Sequence, residues 1–447
     1  MIRRKVLIVG LDGAPFSQLL GQMQEDFPTM WQLARQGTFG VLWSCDPPIT
    51  VPAWACMMSG KDPGQLGLFG FKRHRGYGYD DYGLVHSKLL PPGMLWDWVA
   101  GHGGSSVLLG VPPSYPPPAV RGVSLSCLLT PPGASPVCSP ASVEQTLRAL
   151  APDFVFDIEN FRSLSDTVLL ERAVQGLKAR FRFARALARE VPWDFFVMTD
   201  IGTDRVQHGL WNNDRDWGEA VRAYYRLVDE ELGRWIEELP DDTCLWIVSD
   251  HGAQACRGTV SLNEWLRQHG WLKLRKEPRG PQALLPSIVE WKQTIAWAEG
   301  GYVGRIYINV RGRQPEGIVD PADFTRVCAE LRAALAPGLT DATGARIPVA
   351  VYSPAELYRE CRGFPPDLFV YADQLRIRVV GTVGVRDASA PEKESGRDRA
   401  NHHHAGVFIS YDPKARASGE VPQPVPLLSL RQYVESQLLG DTLTIGS

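Results

Sequence analysis

The chain lacks any apolar run near the ~20 residues that a membrane-crossing helix requires. Its eight cysteines are scattered with no Cys-x-x-Cys pair, so reduced thiols in a cytoplasmic protein are expected. Basic residues are not in excess: 47 Lys and Arg against 50 Asp and Glu give a formal net charge of -3. That balance excludes a globally basic nucleic-acid binder while leaving room for a small basic pocket around a phosphate. After Arg3, Arg4 and Lys5 the apolar run covers only Val6 to Leu11 and is broken by Gly10 and Asp12, too short for a secretory core segment. There is no internal repeat and no low-complexity tract. The expectation is a cytoplasmic protein with no membrane and no nucleic-acid partner, its oligomeric state open. At 447 residues, 44% hydrophobic and 22% charged, the composition is that of a soluble protein. The length calls for two domains or one large α/β domain with insertions.

What is present is a set of metal-ligand residues, each beside an apolar strand-like run. Val6-Leu7-Ile8-Val9-Gly10-Leu11 leads to Asp12-Gly13, and Cys244-Leu245-Trp246-Ile247-Val248-Ser249 leads to Asp250-His251-Gly252. Phe195-Phe196-Val197-Met198 precedes Asp204-Arg205-Val206-Gln207-His208, and Asn401-His402-His403-His404-Ala405-Gly406 stands just before Val407-Phe408-Ile409. A buried strand that stops at a carboxylate or imidazole places that group at the carboxyl edge of a sheet, where open α/β folds build their sites. Asp204 and His208 are four residues apart, so on one helical turn both project to the same side. Of the three consecutive histidines, only one need be a ligand. Thr50 adds a hydroxyl on a proline-bounded turn, Pro48-Ile49-Thr50-Val51-Pro52. Singly, each has an ordinary reading: Asp-Gly as a turn, Asp/His as a helix surface pair, Thr as a cap. Together they form the ligand and nucleophile inventory of a two-metal phosphoryl-transfer enzyme. With N and O donors and no thiolate, zinc is the expected ion and manganese the alternative.

Periodicity predicts helices over 16–24, 29–36, 52–60 (starting at Pro52), 95–100, 166–190 and 215–238, alternating with strands at 6–11, 39–45, 106–109, 195–199 and 245–249. Such alternation implies a mostly parallel sheet. The Gly- and aromatic-rich stretch 64–82 reads as an ordered loop over a site. Residues 257–400 differ in texture, with short helices at 262–268 and 321–335 and strands at 305–310, 348–352, 368–371 and 377–383. The charged loop 386–399 is expected to be mobile.

The motifs Gly10-Leu11-Asp12-Gly13, Pro47-Pro48-Ile49-Thr50-Val51-Pro52-Ala53-Trp54, Ser59-Gly60-Lys61-Asp62-Pro63, Asp204 to Trp211, Asp250-His251-Gly252, Gly312 to Gly317 and His402 before Gly406, taken in this order, resemble the alkaline phosphatase superfamily. The similarity is to its phosphodiesterase and nucleotide pyrophosphatase branch and to bacterial phosphohydrolase/phosphomutase relatives. It spans nearly the whole chain. The resemblance implies an α/β fold: a three-layer α/β/α alkaline-phosphatase-like core of residues 1–256 and 401–447, with a mostly parallel sheet and inserted cap-like segments. Residues 257–400 are then an inserted α+β substructure near the active site. It further implies one metal ion held by Asp12, Thr50, Asp250 and His251 and a second by Asp204, His208 and His402, the last because the family ligand falls four residues before Gly406. Thr50 would form a covalent phospho-threonine that water hydrolyses.

Two departures bear on the substrate, expected to be a small phosphate ester or nucleotide. The Asn with which relatives grip the phosphoryl oxygen is missing from Val51-Pro52-Ala53, so Lys72, Arg73, Arg75 or Arg205 are candidates to replace it. No Arg follows the nucleophile, as it does in monoester-preferring relatives, which leans towards diesters. Sulfate esters are not expected, because Thr50 stands where sulfatases need Cys or Ser. The alternatives are a phosphomonoesterase or phosphomutase on the same site, and a catalytically silent metal-binding protein.

Overall fold

Every residue of Val6–Leu11 is buried, as an unbroken apolar run requires of a strand covered on both faces. In this computed structural model, which describes residues 1–214, 216–341, 344–385, 398–441 and 445–446, that strand lies inside a nine-stranded sheet. The order is Gly419–Pro426, Thr38–Trp43, Ala405–Tyr411, Cys244–Val248, Val6–Leu11, Phe195–Asp200, Ser106–Leu109, Gly122–Leu125 and Cys138–Ser139. Successive side chains point to opposite faces. Leu7, Val9 and Leu11 pack with helices Pro28–Gln36, Asp166–Glu190 and Glu219–Ile236. Val6 and Ile8 pack with helices Thr50–Ser59, Leu95–Gly101 and Leu430–Leu439. The result is the expected sheet between two helical layers.

Strand direction positions the chemistry. Val6–Leu11 runs parallel to both Phe195–Asp200 and Cys244–Val248, so Asp12, the helix bearing Asp204, and Asp250 emerge at one edge. Ala405–Tyr411 runs antiparallel to Cys244–Val248 on one side and to Thr38–Trp43 on the other. Its reversal brings the beginning of the strand, and with it His402, to that same edge. Thr38–Trp43 points the other way again and delivers Thr50.

The helix expected from Pro52 begins two residues earlier, at Thr50, and ends on Gly60 at a φ of 68°. Pro52 fits because a first-turn N–H has no intrahelical partner to lose. The helix expected over 215–238 runs from Glu219 to Ile236, with residue 215 outside the described residues. Over 64–82 there is a short helix, Pro63–Leu66, followed by Lys72–His74 paired with Tyr82–Leu84. Its tip is anchored away from the main sheet: the Tyr79 ring stacks on Trp291 at 3.4 Å.

Trp291 packs in the apolar cluster of a second, six-stranded sheet built from Gly258–Ser261, Ala296–Glu299, Gly304–Ile308, Val349–Tyr352, Leu368–Ala372 and Ile377–Val380. This sheet has its own apolar cluster, in which Leu262 and Leu266 of one helix and Leu331 and Leu335 of another meet Ile306 and Val370. The loop expected to be mobile, 386–399, lies outside the described residues except for Asp398 and Arg399. Among the described residues no helix is long and apolar enough to cross a membrane.

The strand Val6–Leu11 and the helix Thr50–Ser59 are in close contact at Gly10, where an added Cβ would sit 2.2 Å from Trp54 Cη2. Overpacking of that kind costs about 1–3 kcal/mol. Gly10→Ala is therefore expected to lower the urea midpoint correspondingly, and an unchanged midpoint would show that Trp54 is free to move aside.

Candidate functional site

At the shared edge the Thr50 hydroxyl is 3.3 Å from Asp12 Oδ1 and 3.4 Å from His251 Nε2. One turn along the same helix, the Trp54 indole donates to Asp12 Oδ2 at 2.8 Å. One helix thus carries the hydroxyl and also orients the carboxylate that faces it. The Gly13 N–H donates to Asp250 Oδ1 at 3.2 Å. Asp250 Oδ2 is buried and accepts no hydrogen bond; His251 Nε2 lies 3.4 Å from it.

A second group adjoins the first. On helix Gly202–Leu210, Asp204 Oδ1 is 3.2 Å from His208 Nε2. His402 Nε2 is 3.3 Å from His208 Nε2 and 3.6 Å from Asp204 Oδ1. The rings of His402 and His251 stack at 3.7 Å, joining the two groups.

All three imidazoles are held in one manner. Nδ1 of His251 faces the Gly252 carbonyl at 3.0 Å, that of His208 the Ala400 carbonyl at 2.9 Å, and that of His402 the Pro48 carbonyl at 2.7 Å. A carbonyl oxygen only accepts, so a neutral ring carries its proton on Nδ1 and leaves Nε2 as a bare lone pair. Each ring so held turns its Nε2 towards the carboxylates, the arrangement by which proteins orient metal-binding histidines.

The electrostatics show a shortage of positive charge. Burial, with Asp204 adding to it, holds the Asp12 carboxyl well above the usual range. Burial and Asp12 do the same to Asp250. Burial also works to raise Asp204, yet His208, Arg205 and His402 carry it well below the usual range. His208 is raised well above an ordinary imidazole by Asp204 in spite of burial. Burial pushes His251 down to about 4 and depresses His402 as well. Ligand atoms of Asp12, Asp250 and His251 lie within 4.8 Å of one another, as do those of Asp204, His251 and His402. His208 Nε2 is as near to Asp204 and His402 as these are to each other. The donors, all N and O, and the unpartnered Asp250 oxygen fit divalent cations.

Residues 6–382 match the family described as type I phosphodiesterase / nucleotide pyrophosphatase. The chain belongs to this family. No curated protein matches its sequence. Among solved structures, human ectonucleotide pyrophosphatase / phosphodiesterase 5 superposes with a TM-score of 0.60 at 13% identity, over 99% of this chain and 97% of that one. The mouse protein of the same name, an inactive form in complex with AMP, gives 0.58 at 13% identity over 100% and 97%. At this identity the likeness establishes the fold. The family match stops short of His402, whose place at the site rests on geometry alone.

Of the basic residues expected to replace the missing Asn, only Arg205 stands at the clustered residues. The Arg75 guanidinium donates to the Tyr82 carbonyl at 2.9 Å and Lys72 Nζ lies 4.3 Å above the Tyr82 ring. Arg73 lies beside Gly363 with its Nε buried and unpaired, and among the described residues no hydrogen bond or ion pair joins these three to the clustered residues. Arg205 is at the site, but its guanidinium grips both Asp157 oxygens at 2.7 and 2.8 Å and Asp204 Oδ2 at 2.6 Å. Of the three consecutive histidines, His404 turns away to Asp46 at 2.8 Å and His403 Nδ1 accepts from the Ala405 N–H.

Sequence reasoning passed over several residues here. Trp54 was legible only as part of a motif. Tyr302, in a glycine-flanked turn, stacks on His402 at 3.7 Å. Asp398 Oδ1 is 3.0 Å from His208 Nδ1 and pairs with both Arg162 and Arg378. Asp398 lies in a charged stretch whose composition reads as solvated, so no local signal distinguishes it.

Removing the shared cation should be costly. Arg205→Met leaves Asp157 and Asp204 without it, and breaking a buried pair from one side costs about 3–5 kcal/mol. Urea unfolding of the metal-free protein measures this; a loss under about 1 kcal/mol would mean that the pairing is solvated.

Proposed function

We propose that the protein is a metal-dependent phosphodiesterase of the nucleotide pyrophosphatase type in which Thr50 carries the phosphoryl group covalently. The observation that supports it is the placement of three imidazole Nε2 atoms and three buried carboxylates in two adjoining groups, the first of which holds the Thr50 hydroxyl. Asp12, Thr50, Asp250 and His251 would hold one divalent ion and Asp204, His208 and His402 another, with zinc favoured and manganese the alternative. When bound, such ions neutralise the phosphate and favour ionisation of the Thr50 hydroxyl. In this reading residues 1–256 and 401–447 are the hydrolase core. Residues 257–400 are an insert that brings Tyr302 against His402.

The residues divide the work as follows. Asp12 Oδ1 accepts the Thr50 hydroxyl and so orients Oγ1, while Trp54 holds Asp12. Oγ1 attacks phosphorus, the bond to the leaving oxygen breaks, and the alcohol departs with the proton. Water then attacks the phospho-threonine, regenerating Thr50 and releasing a phosphate monoester. Thr50 is the first residue of its helix, so unpaired backbone N–H groups and the positive helix end face the phosphoryl oxygens. We assign to them the role that an Asn has in relatives.

Thr50→Ala is expected to abolish turnover while bound metal, measured by elemental analysis, and the fold persist. Wild-type rates in that variant would refute the nucleophile assignment.

Diesters are the favoured substrates. A monoester dianion brings one more negative charge, and among the described residues Lys72, Arg73 and Arg75, the cations that could have offset it, make no hydrogen bond or ion pair with the clustered residues. The complex of the mouse relative with AMP makes nucleotide esters the first natural class to test. With metals saturated, kcat/KM for an aryl phosphodiester should exceed that for the matched monoester. A monoester preference would promote the phosphomonoesterase or phosphomutase reading.

A further inference from the structure

Beside Tyr302 and Arg205 opens a cavity of about 670 Å³, of ordinary size for a small-molecule pocket. Its position relative to the two clusters is informative. Thr50 belongs to the Asp12–Asp250–His251 group. The cavity borders the other group, through the Tyr302 ring on His402 and the Arg205 bond to Asp204. Attacking and leaving oxygens lie roughly in line across a transferring phosphoryl group, so this cavity is on the leaving-group side.

Its charge is unbalanced. Arg205 is matched by Asp157 and Asp204. Among the described residues Arg162 and Arg378, by contrast, share a single carboxylate: Asp398 Oδ1 is 3.0 Å from Arg162 Nε, and Asp398 Oδ2 is 2.6 Å from Arg378 Nη1. Asp398 is buried behind them, 2% exposed, whereas Arg162 and Arg378 keep 24% and 12% of their side chains accessible. The other carboxylate on the lining, Glu159, is exposed at the rim, where water screens it. Phe71, Leu129 and Ile158 supply apolar wall, and the Phe161 ring under Arg162 and Arg205 holds both guanidiniums in place.

We propose that this cavity is a leaving-group pocket selecting phosphodiesters whose departing alcohol or phenol carries a second anionic group, a phosphate or a carboxylate, gripped by Arg162 and Arg378. The inference rests on the phosphodiesterase reading above and narrows its substrate class. Guanidinium forks suit either oxyanion.

The test uses three methyl aryl phosphodiesters with the full-length, metal-saturated protein. They differ only at a methylene on the leaving phenol, bearing hydrogen, a carboxylate or a phosphonate, so leaving-group acidity is nearly constant. Wild type should favour one or both anionic esters over the neutral one by about tenfold or more in kcat/KM, the worth of one charge-assisted contact. Which of the two is preferred identifies the natural anion. In Arg162→Gln and Arg378→Gln the ratio should fall towards one, chiefly through KM. Disturbing Asp398 and His208 would slow all three esters alike and cancel from the ratio, so a purely structural role predicts an unchanged ratio. A wild-type ratio near one, or a ratio retained in both variants, overturns the proposal even if the neutral ester turns over well. No turnover of any diester overturns the underlying reading instead, and this one with it.

Discussion

Asp12, Asp204 and Asp250 stand at one sheet edge with between 0% and 3% of their surface exposed, and burying that much negative charge is the constraint on which the rest of the structure depends. A lone buried carboxylate costs far more than any single packing contact returns. Arg205 and His208 offset Asp204, while the Gly13 N–H and the Trp54 indole reach Asp250 and Asp12. That leaves Asp12 and Asp250 short of cationic partners, which is why burial holds both above their ordinary range. The divalent ions proposed for this edge would balance its electrostatics as well as supply its chemistry.

The surrounding scaffold keeps these groups from relaxing away from one another. Asp200, at the end of its strand, accepts Arg180 and Tyr224, each at 2.7 Å. Its carbonyl also accepts the Thr203 hydroxyl, which bonds the Asp12 carbonyl too. The helix bearing Asp204 is thereby tied to the strand bearing Asp12. Gly202 leaves no room for a side chain, since an added Cβ would lie 2.0 Å from the Tyr224 hydroxyl oxygen. On the opposite face, Trp54 is wedged over Gly10. Precision at the site is a consequence of close packing one layer out.

Much of this was legible because fully buried parallel strands need unbroken apolar runs, and a carboxylate or histidine ending such a run has few structural uses. Asp12 and Asp250-His251 carried that signature, while the Asp204/His208 pair was legible from its helical spacing just beyond a third such run. Other parts were silent for physical reasons. Gly419–Pro426 is an edge strand containing Pro422, Pro424 and Pro426, tolerable only where one side needs no ladder bonds; its polar, proline-rich composition reads as loop. The basic stretch 72–75 resembled a phosphate grip, but its aromatic neighbour Tyr79 stacks on Trp291, in the apolar cluster beside the second sheet. Asp398, Arg162 and Arg378 come from three distant segments, and a charge destined for a buried pair looks like a charge destined for water.

Local sequence by itself determined which segments become buried strands, which side chains end them, and that the ligand chemistry is nitrogen and oxygen without sulfur. These are properties of composition and period, read over a few residues at a time. Only the tertiary structure decided strand direction, hence that Ala405–Tyr411 runs backwards and brings His402, not His403 or His404, to the cluster. It alone decided which cations meet the site and which are consumed elsewhere, because pairing depends on distances between residues as far apart as Arg162 and Asp398. Coulombic and packing terms act through space, and the order of residues along the chain does not encode that space locally.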